Sequence, residues 1–153
     1  MANTFRQSAV HTVFAPRYRQ ALILPAFREP VQRYMTGMIK GKEHLPMAIY
    51  AMPDHVHLLM AISMNREPRK ILQVLKAESS KWINEQGFLQ HKFEWQRGYG
   101  WFHVHAGGID AVAGYIRQQP EQHRKISFLE EYTGLLDENG IDYDPRYLFT
   151  EPE

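Results

Sequence analysis

Apolar positions along this chain fall into short alternating runs separated by longer stretches of three-and-four spacing. Ala9-Val-His-Thr-Val-Phe14 is β-branched and predicts a first strand, with His11 and Val13 on one face. Ala15 to Arg19 predicts a loop carrying two positive charges. Pro25 to Gly41 predicts a helix, because Phe27, Val31, Tyr34, Met35 and Met38 recur mostly three and four apart, and Pro30 offers an alternative start. Leu45 to Tyr50 and Leu58 to Ile62 are apolar and strand-like. Met52-Pro-Asp54 between them predicts a turn, since Pro53 has no N–H to give a ladder. His55 and His57 therefore open the strand that follows a tight reversal.

Asn65-Arg-Glu-Pro68 predicts a helix start, and Ile71, Leu72, Leu75 and Trp82 carry that helix to about Gln86, where Gly87 ends it. Phe93 to Arg97 and Tyr99 to His105 predict short aromatic strands around an irregular loop at Gly98 and Gly100. A helix is predicted from Ala111 to about Arg124, with Asp110 as its N-cap. Ser127 to Leu136 predicts a short amphipathic helix, and Gly140 to Phe149 an extended or turn-rich tail. Helices and hairpins in this order predict an α+β fold: an antiparallel β-sheet flanked by helices, a ferredoxin-like (split βαβ) two-layer sandwich. The 153 residues suit one domain with a full core, 1–153, ending in an acidic tail from about 127.

Composition narrows the chemistry. With 44% hydrophobic and 23% charged residues the chain is an ordinary soluble globular sequence. It has no cysteine, which excludes disulfides and thiolate-bound zinc. No apolar run approaches the ~20 residues of a membrane span, and the N-terminus lacks the apolar core of a signal peptide, so a cytoplasmic location is expected. The net charge of +1 hides an asymmetry. Ser127 to Glu153 holds eight of the 17 acids and one of the 18 bases, leaving about +8 upstream. A basic body suits a polyanionic partner and equally an ordinary solvated surface. Arg66, Arg69, Lys70, Lys76 and Lys81 on or beside the second long helix are the candidate phosphate contacts.

Side chains two apart on a strand share a face, so His55 and His57, ~6.6 Å apart along the backbone, can lean toward one ion or one phosphate. The same pattern also describes the polar face of a sheet. Tyr115 and Gln119 stand i and i+4, one helical turn apart, where a tyrosine is commonly a half-buried packing residue. Taken with the histidines they have a chemical logic. Two imidazoles and an amide oxygen hold a divalent cation without adding negative charge, so the ion keeps its charge for polarising a phosphodiester. A nearby cation favours the phenolate of a phenol whose pKa is ~10. Attack by that oxygen leaves a phosphotyrosine and a free 3′-hydroxyl, and the bond stores the energy for rejoining.

Met52-Pro-Asp-His-Val-His-Leu-Leu59, Trp95-Gln-Arg-Gly-Tyr99, Tyr115-Ile-Arg-Gln-Gln-Pro120 and the Glu-Glu-Tyr…Gly-Ile-Asp-Tyr tail resemble the single-tyrosine HUH transposases. These are the insertion-sequence 200/605 group and the REP-associated tyrosine transposases. The resemblance spans nearly the whole chain. It implies a DNA transposase that cuts and rejoins single-stranded DNA through a 5′-phosphotyrosine, recognising hairpins at element ends, usually as a homodimer. By matching position it implies Tyr115 as nucleophile, His55, His57 and Gln119 as metal ligands, and Mg²⁺ or Mn²⁺ as the metal. A His pair that the family often carries past the glutamine is Gln122-His123 here. His103-Val104-His105, a second such pair, lacks the turn-strand context and reads as sheet-face polar surface. Two other readings stand beside this one: a non-catalytic single-strand nucleic-acid-binding module whose aromatics stack on bases, and a histidine-ligated metalloenzyme for a small molecule.

Overall fold

The computed structural model of the chain describes residues 8–63, 68–145 and 148. Strands β1 (Ala9–Phe14), β2 (Leu45–Met52), β3 (His55–Ala61) and β4 (Gly100–Val104) and helices α1 (Pro25–Gly41) and α2 (Pro68–Gln86) follow one another as βαββαβ. The sheet order is β2-β3-β1-β4, and all three pairings are antiparallel. This is the expected ferredoxin-like arrangement. Three further helices, α3 (Ile109–Arg117), α4 (Gln119–Gln122) and α5 (Phe128–Glu138), follow β4, and 3-10 turns span Arg17–Arg19 and Ala106–Gly108.

Every residue of β1 is buried, because helices cover both of its faces. Val10 and Phe14 enter a core with Val31, Met35 and Ile39 of α1 and Leu72 and Leu75 of α2. Val13, on the other face, packs with Phe102, Phe128, Tyr132 and Leu136. Each such aliphatic or aromatic side chain contributes about 1.5–3 kcal/mol when fully buried. α1 buries Phe27, Val31, Met35 and Ile39, a strict four-residue stripe, and kinks at Phe27 (φ −123°, ψ 16°) near Pro30. α5 is capped by Ser127, whose hydroxyl accepts the Glu130 N–H at 3.1 Å. That helix buries Phe128, Glu131, Tyr132 and Leu136, so the acidic segment after residue 127 begins as a packed part of the body. Gly100 makes this possible: a Cβ there would lie 2.8 Å from the Phe102 ring and 2.9 Å from the Tyr132 ring.

Several expected elements differ. Phe93 to Arg97 forms no strand beyond a single bridge between Pro16 and Trp95. The reason lies in α2, where Asn84 accepts the Phe93 N–H at 2.7 Å and donates to its carbonyl at 3.1 Å, taking both ladder groups. The helix expected from Ala111 to Arg124 starts earlier, capped by Gly108 rather than Asp110, and breaks at Gln118 (φ −101°, ψ 24°). Pro120 has no N–H for the Ile116 carbonyl, so the chain restarts as the short α4. The helix start expected at Asn65 falls on residues 64–67, outside the described ones. Among the described residues no helix is long and apolar enough to cross a membrane.

Candidate active site

The β2–β3 hairpin reverses over Pro53 and Asp54 alone, which places His55 and His57 at the start of β3. In register Val13 lies opposite His57 and His11 opposite Leu59, so these side chains share the sheet face away from α1 and α2. His55 and His57 are 1% and 0% exposed. Their outer ring nitrogens are both engaged. His55 Nδ1 donates to Asp54 Oδ1 at 2.8 Å, and His57 Nδ1 lies 2.7 Å from His11 Nε2. Such partners fix ring orientation and leave the two Nε2 atoms aimed at one point.

The point is closed by α3, α4 and α5. Gln119, fully buried at the head of α4, brings Oε1 to 3.0 Å from His55 Nε2 and 3.0 Å from His123 Nε2. Glu131, on α5, brings Oε1 to 2.9 Å from His57 Nε2, 3.1 Å from His123 Nε2 and 3.6 Å from His55 Nε2. Its Oε2 accepts the Gln119 amide at 2.8 Å and the Tyr115 hydroxyl. One carboxylate thus links three imidazoles, the amide and the phenol.

The electrostatics follow from burial and this carboxylate. Burial alone would raise the Glu131 carboxyl, but hydrogen bonds from His123, His57 and Tyr115 outweigh it and hold the group well below the usual carboxylate range. Burial and the same carboxylate push the Tyr115 phenol well above its ordinary value. Burial lowers His57 against the pull of Glu131. Burial also lowers His123, but Glu131 reverses the direction and leaves it raised. Burial, helped by repulsion from His57, brings His11 down to about 3. An ionised Glu131 can only accept, so neutral His57 carries its proton on Nε2 and accepts at Nδ1 from His11. Binding a cation through Nε2 requires the other tautomer, which His11 can also satisfy by accepting. A cavity of about 380 Å³ adjoins Tyr115, and its lining includes His11, Glu130, Glu131 and Glu138. Three of its lining residues are carboxylates, which favour a cation there.

The donor set fits a divalent metal. The ligand atoms of His55, His57, His123 and Glu131 all lie within 4.8 Å of one another. Imidazole nitrogen with carboxylate and amide oxygen suits a borderline or hard divalent ion.

Of the residues expected from sequence, the structure gathers His55, His57, Gln119 and Tyr115 at one place. The described members of the basic set, on α2, do not act alike. Lys76 turns inward: its ammonium donates to the Gln96 and Gly98 carbonyls at 2.7 and 2.9 Å, and burial lowers it to about 8. That geometry makes it a pin for the aromatic loop rather than a phosphate contact. Lys70 and Lys81 are exposed on α2, Arg69 belongs to its first turn, and Arg66 lies outside the described residues. His103 and His105 are exposed, and the His105 ring lies against Gly107 and Gly108, away from the cluster. Sequence reasoning missed His11, His123 and Glu131. In the sequence Glu131 reads as one acid of an acidic segment and as part of the Glu-Glu-Tyr stretch of the resemblance, with no role at the site. Its signal was position: with Phe128, Tyr132 and Leu136 it falls on the apolar stripe of α5.

Comparison with known proteins places this arrangement. The family described as "Transposase IS200 like" matches residues 4–119. The chain belongs to the IS200-like transposase family. It is 28% identical over 131 residues to the transposase for insertion sequence element IS200 of Salmonella typhimurium, covering 81% of this chain and 84% of that one. The Salmonella typhi transposase for the same element matches equally. Among solved structures, a putative transposase of Deinococcus radiodurans superposes with a TM-score of 0.62 at 18% identity, over 78% of this chain and 95% of that one. A REP-associated tyrosine transposase bound to a REP hairpin superposes with a TM-score of 0.59 at 14% identity, over 82% and 76%. These two likenesses establish a shared fold. As an IS200-like transposase the chain is a DNA strand-cleaving and strand-transferring enzyme of a divalent-metal-dependent class.

Proposed function

We propose that Tyr115 is the nucleophile and that His55, His57 and Gln119 hold a Mg²⁺ or Mn²⁺ ion beside it, in an enzyme that cuts and rejoins single-stranded DNA at hairpin ends. The observation that carries this is the convergence of all four side chains on one buried point, with Tyr115 joined to it through Glu131. A cation there supplies charge for polarising the scissile phosphodiester. The chain's own part is as follows. Tyr115 passes its hydroxyl proton to Glu131 Oε2, which already accepts it in a hydrogen bond, and its oxygen forms a bond to phosphorus. The bond from phosphorus to the 3′-oxygen breaks, and that oxygen takes a proton to leave a free 3′-hydroxyl. The DNA is then held as a 5′-phosphotyrosine, and attack by another 3′-hydroxyl reverses the bonds and frees the tyrosine. Asp54 and His11 keep the two imidazoles oriented throughout.

The partner is single-stranded DNA with hairpin ends, in keeping with the hairpin bound by the structural relative. Arg66, Arg69, Lys70 and Lys81 are the side chains offered for its phosphates. The resemblance to single-tyrosine transposases supports a homodimer working in the cytoplasm, and sedimentation of the free protein tests the dimer.

The deciding assay mixes the protein with 5′- and 3′-labelled hairpin oligonucleotides from its own genomic flanks, in Mn²⁺ or EDTA. A covalent adduct that needs the metal and carries only the 3′ label is expected. Tyr115→Phe should abolish the adduct and keep hairpin binding. An adduct that persists in that variant refutes the assignment of Tyr115.

A further inference from the structure

We propose that Glu131 is itself a ligand of the divalent cation, so that α5 completes the metal site and a single carboxylate joins the cation to the nucleophile. This rests on the metal-site reading above. Neither the residues carrying the expected ligand set nor the family match, which ends at 119, reaches Glu131.

Spacing is the first argument. Two ligand atoms bound at ~2.1 Å to one ion stand about 3.0 Å apart in octahedral geometry and about 3.4 Å apart in tetrahedral geometry. Gln119 Oε1 stands at 3.0 Å from the Nε2 atoms of His55 and His123. Glu131 Oε1 stands at 2.9, 3.1 and 3.6 Å from those of His57, His123 and His55. The carboxylate oxygen thus stands at ligand-to-ligand spacing from His57 and His123, as the amide oxygen does from His55 and His123, and lies somewhat farther from His55.

Charge is the second argument. Glu131 is 4% exposed and sits on a stripe otherwise made of Phe128, Tyr132 and Leu136. A buried carboxylate costs several kcal/mol unless a cation answers it. Among the described residues its ion-pair partners are the histidines His55, His57 and His123 only. A divalent cation would supply the full positive charge that no Lys or Arg among the described residues gives this carboxylate.

Glu131 Oε2 holds the Tyr115 hydroxyl while Oε1 faces the imidazoles. A cation on Oε1 would therefore be joined to the Tyr115 hydroxyl through this one carboxylate.

The test titrates Co²⁺, whose visible absorption reports its ligands, into wild type, Glu131→Gln, Glu131→Asp and His55→Ala, each checked for folding by circular dichroism. Glu131→Gln should weaken Co²⁺ binding by about tenfold or more and change the absorption band. Glu131→Asp, which keeps a carboxylate, should recover much of both. If Glu131→Gln binds Co²⁺ as tightly or more tightly with an unchanged band, while His55→Ala loses binding, the carboxylate merely fills the space and the proposal is wrong, though the metal site stands. If wild type binds no Co²⁺, or His55→Ala binds it as wild type does, the metal-site reading fails and takes the proposal with it.

Discussion

Replacing His11 with Gln should flatten the acid sensitivity of the metal-free protein. His11 is 3% exposed on β1 and faces His57 of β3, Phe102 of β4, Tyr115 of α3 and the carboxylate of Glu131 on α5. Burial and His57 bring it from 6.5 to about 3, so the folded protein keeps it neutral where the unfolded chain protonates it. The unfolded state then binds more protons below the ordinary histidine value, and stability falls as pH falls from about 6.5 toward about 3. From those two values a single such histidine removes about 1.9 kcal/mol of stability between pH ~7 and pH ~5. His57, also lowered, adds to the loss. His123, raised, has the opposite sign: its contribution is full below its unfolded pKa and is lost as pH rises through the folded one. Comparing wild type with His11→Gln cancels both, because Gln keeps a polar partner for His57 Nδ1 and does not titrate.

The assay is urea unfolding in EDTA at several pH values. Wild type should lose about 1.9 kcal/mol more than His11→Gln over that range. Parallel curves for the two proteins would refute the reasoning, since they would mean that His11 takes up its proton without unfolding the chain.

Two further outcomes follow from packing and charge. Gly100→Ala should destabilise the protein by about 1–3 kcal/mol in thermal or urea unfolding, because the new Cβ meets both the Phe102 and Tyr132 rings; a neutral result would show that α5 rides freely over the sheet. Lys81→Ala should reduce the salt dependence of single-strand binding by about 0.7 in log–log slope, whereas Lys76→Met should leave the slope alone and cost about 1–2 kcal/mol of stability, since its ammonium serves the Gln96 and Gly98 carbonyls.

How far the sequence could be read depended on the range of the interaction concerned. The strands, α1 and the hairpin at Pro53 were legible because period-two and four-residue patterns are local. His55, His57, Tyr115 and Gln119 were legible through spacing and resemblance together. The strand expected at Phe93 was not, because a side-chain amide nine residues upstream, Asn84, took its backbone groups. The break at Gln118 had a visible cause in Pro120, yet the apolar pattern running past it favoured one continuous helix. Glu131 was the largest omission. A carboxylate within an acidic segment looks like solvated charge, and only the fold of α5 onto the sheet turns it toward the histidines. Lys76 erred in the other direction: a basic residue on a basic helix, spent on carbonyls.

β1 lies between two helical layers, and its alternation assigns neighbouring residues to different duties. Val10 and Phe14 belong to the layer that keeps the chain folded, while His11 and Val13 face the histidines and α5. A substitution scan along these six residues should therefore give phenotypes that switch at every step. Melting temperature should respond most at one parity, and metal occupancy and acid tolerance at the other. The pleat of a single strand becomes a ruler on which endurance and chemistry are marked in turn, and a one-residue slip in its pairing would exchange the two scales at once.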